Sequence, residues 1–105
     1  MTLESNVYAV RLSGADAISS IANAIANERG ITLTKCEWDI GDDLSHEHAH
    51  RMDIFTDAKT VRLYFPDLAL TAPDQPARRK RIEDKLNSAI AQLASRSPVA
   101  TYSFN

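Results

Sequence analysis

All the histidines of the chain fall within one short run, His46-Glu47-His48-Ala49-His50. On a β-strand alternate side chains share a face, so His46, His48 and His50 would line one side and two imidazoles could share a metal ion. Glu37 or Asp39 from a neighbouring strand, or Asp42, Asp43 or Cys36, would complete a tetrahedral set for zinc or another divalent metal. Without a distant ligand at a fixed spacing this motif is weak. The plainer reading pairs the histidines with Glu37 and Asp39. Such pairs would raise the imidazole pKa values and make that end of the sheet sensitive to pH near neutrality. The leading expectation is therefore no cofactor.

The second group with chemical character is Trp38, Arg51, Asp53, Phe55, Arg62 and Tyr64. Rings and guanidinium groups are enriched at protein interfaces. Placed on a sheet face that no helix covers, these six would form a contact surface, most simply for a two-fold homodimer. The same rings could stack single-stranded bases, with Arg78-Arg79-Lys80-Arg81 holding phosphate. A formal net charge of −2 and the lack of a glycine-aromatic strand motif argue against nucleic acid. No spacing sets a nucleophile beside a base, and no glycine-rich loop could cradle a phosphate. Cys36 reads as a small, half-buried apolar residue.

The elements that must position these residues follow from periodicity. His46 to Pro66 alternates apolar and polar residues around a polar break at Asp57-Ala58-Lys59-Thr60, which predicts a hairpin with strands over 47–56 and 60–66. A turn centred on Ala58-Lys59 pairs Ile54 with Leu63, Met52 with Phe65, Phe55 with Arg62 and Asp53 with Tyr64. Setting Leu33 opposite Ile54 in the preceding strand, 31–40, places Glu37 beside His50 and Asp39 beside His48. Alternation also predicts a strand over 6–12. Ser13-Gly14-Ala15-Asp16 then breaks it and caps a helix whose stripe is Ile18, Ile21, Ala22 and Ile25, ending at Gly30. A second helix runs from Pro76 to Ser95 with Ile82, Leu86, Ala89, Ile90 and Leu93 buried. Residues 99–104 form a last strand.

The predicted order is β-α-β-β-β-α-β in one domain, residues 1–105. This is an α+β two-layer sandwich with a mostly antiparallel sheet and both helices on one face, a ferredoxin-like plan with an extra strand. The single cysteine, the absence of a signal-like start and the absence of a long apolar run point to a cytoplasmic protein with no membrane span. The functional expectation is a non-catalytic interaction module, homodimeric through its helix-free face. A metal- or small-ligand-binding protein, with or without enzymatic activity, is the alternative, and single-stranded nucleic-acid binding the third.

Overall fold

A computed structural model describes residues 3–39 and 49–94. Its elements are α1 (Leu3–Glu28), β1 (Lys35–Asp39), β2 (His50–Phe55), β3 (Thr60–Phe65), α2 (Asp67–Thr71) and α3 (Pro76–Ala94). The three strands form one antiparallel sheet in the order β1-β2-β3, with the helices packed on one side of it. The α+β class and the antiparallel sheet therefore stand. The β-α-β-β-β-α-β order does not appear among the described residues, and the strand expected over 99–104 lies outside them.

The predicted strand over 6–12 is corrected: these residues open a helix that runs on to Glu28. Arg11, Gly14, Ala15, Ile18, Ala22 and Ala26 are all buried. They recur at steps of three and four, the period of one helical face. The short alternation Tyr8-Val10-Leu12 is outweighed by this longer stripe, and Val10 and Leu12 end up 45% and 41% exposed. Gly30 does stop the helix in the left-handed region, with φ at 73°. Its N–H reaches the Asn27 carbonyl at 3.0 Å, and that of Ile31 reaches Ala26 at 2.8 Å, so the last carbonyls are satisfied.

The hairpin forms with both faces as expected and its register two residues away. His50 pairs with Phe65, Met52 with Leu63, Asp53 with Arg62 and Phe55 with Thr60. Thr56 decides this. Its Oγ1 accepts the N–H groups of Ala58 at 3.2 Å and Lys59 at 3.1 Å, and its own N–H donates to the Lys59 carbonyl at 2.9 Å. The turn is therefore centred on Asp57-Ala58, one residue early, pinned by a side-chain oxygen. A slip of two preserves every side chain's face.

The β1–β2 register differs by an odd number, which has larger consequences. Cys36 pairs with Ile54, Glu37 with Asp53, Trp38 with Met52 and Asp39 with Arg51, so each β1 residue changes face. Trp38 lies on the helix side. Its Nε1 donates to Ser19 Oγ of α1 at 2.9 Å, and its ring centroid sits 5.7 Å from that of Phe65. The placement of Trp38 on the open face is corrected. So is the pairing of Glu37 with His50: Glu37 shares the open face with Asp53, and His50 points into the core. The physical reason is the loss of a long strand. Residues 31–34 are not part of the sheet, so Leu33 has no cross-strand partner to set the register.

The core combines Ala15, Ile18, Ala22 and Ala26 of α1 with Met52, Ile54, Leu63 and Phe65 of the sheet. Ile82, Leu86, Ala89, Ile90 and Leu93 of α3 complete it, the stripe that the sequence predicts. α2 adds Ala69 and Leu70.

Candidate functional site

Two polar constellations emerge, on opposite faces of the sheet. Lys35, Glu37 and Asp39 of β1, Arg51, Asp53 and Phe55 of β2, and Thr60, Arg62 and Tyr64 of β3 form the helix-free face, following the register. Asp53 is its centre. Arg62 grips it with two hydrogen bonds, Nε to Oδ1 at 2.9 Å and Nη2 to Oδ2 at 3.3 Å. Arg51 lies 3.7 Å from both Asp53 and Asp39. Only 9% of the Asp53 side chain stays accessible, because the arginines lie over it rather than because it is deep in the fold. The Arg62 hydrogen bonds pull its carboxyl below the usual range. Burial opposes them, and the nearby charges of Arg62 and Arg51 add to the lowering. Around this knot, Lys35 pairs with Glu37 at 2.9 Å and sits 4.7 Å above the Phe55 ring. Tyr64 stands half exposed at 51%.

Of the six predicted contact residues, Arg51, Asp53, Phe55, Arg62 and Tyr64 share this face and Trp38 does not. Of the predicted metal set, the described members His50, Glu37 and Asp39 are not brought together. His46 and His48 lie outside the described residues, and Glu37 and Asp39 are across the sheet from His50. Among the described residues no three of His, Cys, Asp and Glu converge on one point. The basic run Arg78–Arg81 is engaged within the chain for much of its length. Arg78 donates to the Ala72 carbonyl at 3.0 Å, Arg79 pairs with Glu83 at 2.9 Å and Lys80 with Asp84 at 3.1 Å.

The second constellation is one that sequence reasoning missed. On the core side, His50 Nε2 lies 2.8 Å from Asp67 Oδ1. Arg11 binds the same carboxylate in bidentate fashion, Nε to Oδ1 at 2.6 Å and Nη2 to Oδ2 at 3.0 Å. Arg11 is 8% and His50 4% exposed, so α1, β2 and the start of α2 are tied by an ion pair and a hydrogen bond largely withheld from water. The Arg11 hydrogen bonds push the Asp67 carboxyl down; burial works against them, and His50 adds to the lowering. The residues are 56 and 17 positions apart from Asp67, so no local spacing could reveal them. The one available signal is an arginine falling in register with the buried stripe of α1.

The triad ties α1, β2 and the start of α2 together through one carboxylate. A carboxylate orienting an imidazole is half of a nucleophile-activating relay, but here the guanidinium occupies the carboxylate as well and no hydroxyl or thiol bonds the histidine among the described residues. Cys36 is elsewhere in β1, and burial pushes its thiol up, away from the reactive thiolate. Compared with known proteins, the chain matches no family model, no curated protein and no solved structure. No helix among the described residues is long and apolar enough to cross a membrane.

Proposed function

We propose that the protein is a small non-catalytic association module and that its helix-free sheet face joins two copies of the chain. The observation that carries this reading is the layout of charge on that face. β1 presents Glu37 and Asp39, whereas β3 presents Arg62 and Tyr64, with Arg51 and Asp53 between them on β2. A two-fold axis parallel to the strands lays β1 of one copy over β3 of the other. Glu37 and Asp39 then meet Arg62 and Tyr64 of the other copy, while Arg51, Asp53 and Phe55 of β2 each meet their own copies.

The size of the face sets the strength. Three strands of about six residues, at ~4.8 Å between strands and ~3.4 Å per residue, span roughly 300 Å². Standard interfaces use ~800 Å² per partner, so the contact is weak and reversible. Sedimentation equilibrium is expected to show a dimer with a dissociation constant of tens of micromolar. Phe55→Ala and Tyr64→Ala should each weaken it about tenfold. Raising salt should weaken it too, since the paired charges are solvent-exposed. A wild-type chain that stays monomeric at high micromolar concentration sinks the proposal.

A further inference from the structure

The edge of the sheet, as distinct from its face, has a directional property that follows from two hydrogen bonds. The Phe55 carbonyl accepts the Thr34 N–H at 2.8 Å, so the backbone groups of Phe55 point toward β1. The Thr56 N–H bonds to the Lys59 carbonyl across the hairpin. Alternation along an antiparallel ladder then directs the N–H and C=O groups of Met52 and Ile54 to β3, and those of Thr60, Arg62 and Tyr64 away from β2. Among the described residues β3 has no strand on that side. Lys85 confirms the direction: its Nζ donates to the Tyr64 carbonyl at 2.5 Å, which is reachable only if that carbonyl faces outward.

A groove of about 310 Å³ follows this edge, lined by Arg62 and Tyr64 on the strand and by Lys85, Ser88, Ala89 and Gln92 on α3. On α3 the charged lining residue is Lys85. Arg81 precedes it by one helical turn, just beyond the lining, and the carboxylates of α3, Glu83 and Asp84, are paired with Arg79 and Lys80. Lysine over a sheet edge is a known guard against unwanted strand pairing. A single exposed lysine bond is a weak guard, released by a rotamer change.

We infer that the β3 edge is a docking site for an extended acidic segment of a partner protein, which adds as a fourth strand. Outward-facing groups of Arg62 and Tyr64 supply the main-chain ladder, Lys85 yields the Tyr64 carbonyl, and Arg81 and Lys85 meet the acidic side chains. A second copy of this chain suits the edge poorly, because β3 against β3 would bring Arg62 and Lys85 of both copies together. The inference is independent of the face-to-face dimer.

The test uses the full chain and a fluorescein-labelled peptide of about ten residues alternating valine with glutamate. Controls alternate valine with lysine, or carry proline at every second glutamate position. Anisotropy should show the acidic peptide binding at least about tenfold tighter than either control. Amide exchange at Arg62 and Tyr64 should slow about tenfold or more on binding, while Leu63, already bonded to β2, should not change. Arg81→Glu with Lys85→Glu should weaken binding about tenfold, and Arg79→Glu, on the other flank of α3, should leave it intact. Titration on Phe55→Ala separates this site from the dimer face: loss of the dimer with retained peptide binding supports the edge site alone. No anisotropy change at high micromolar peptide overturns the inference, as does equal binding of the proline peptide. Displacement by oligothymidylate without amide protection, or protection of Arg62 and Tyr64 without peptide at any protein concentration, overturns it as well.

Discussion

Gly14→Ala is expected to destabilise the fold by about 2 kcal/mol or more, although alanine is the better helix former by ~1 kcal/mol. A Cβ built at Gly14 would lie 1.8 Å from the Leu70 carbonyl oxygen, 2.5 Å from its carbon and 2.7 Å from its Cα. These are backbone atoms, so no rotamer change relieves the overlap and α2 must move. Leu70 is fully buried, and the carboxylate of Asp67 rides on the same short helix, so displacing α2 loosens both. Overpacking of this kind costs ~1–3 kcal/mol and occasionally more. In a domain of this size the melting temperature should fall by roughly 10 °C. Gly30→Ala is the internal control: nothing lies within 4 Å of its Cβ position, and the cost there is only the left-handed backbone, ~1 kcal/mol. Urea melts in which Gly30→Ala is the more damaging of the two would contradict the close approach of α1 and α2.

Removing the Asp67 carboxylate should be costlier still. Asp67→Ala leaves the guanidinium of Arg11 and the ring of His50 buried without the anion that binds both, a loss of about 3–5 kcal/mol. That is a large share of a total stability of ~5–15 kcal/mol. Replacing Arg11, His50 and Asp67 together by apolar residues should cost less than Asp67→Ala alone, because the penalty arises from burying the guanidinium without the Asp67 carboxylate and not from lost attraction. The pH dependence has a defined sign. Because Asp67 and Asp53 titrate below their ordinary value when folded, the unfolded chain binds more protons at acid pH. Their contribution is fully present above the unfolded carboxylate pKa of about 3.9 and is lost as pH falls through the lower folded values. Urea midpoints followed from pH 6 to pH 2 (on the order of the carboxylate range) should decline steeply in the wild type and less so in Asp67→Ala. Equal slopes would show that the triad carries no ionic stabilisation.

Several features are legible in the amino-acid sequence alone. The stripe Ile82, Leu86, Ala89, Ile90 and Leu93 of α3 is periodic enough that its burial follows directly. The hairpin and its two faces follow from strict alternation, and even a register error of two residues leaves Met52, Ile54, Leu63 and Phe65 facing the core. Gly30 ends a helix as its residue type demands. Five of the six residues expected on the open face reach it, because each sits on the hairpin, where parity is secure.

What failed did so where local pattern was short or where the partner was distant. Alternation over 6–12 is too brief to tell a strand from the start of a helix, and Gly14 reads as a break when its bare Cα is in fact a contact with Leu70. Trp38 changed face because a β-strand's register has period two and the loop joining β1 to β2 does not reveal whether its length is odd or even. The amino-acid sequence by itself determined the hairpin, the α3 stripe and the alternation that puts Arg51, Asp53, Phe55, Arg62 and Tyr64 on one side, since these depend on neighbours a few residues away. Only the tertiary structure decided that Trp38 belongs under α1, that β3 has no outer strand neighbour among the described residues and lies beside Lys85 of α3, and that Arg11 and His50 share the carboxylate of Asp67. Those outcomes depend on which distant surfaces come into contact, and no local spacing encodes that.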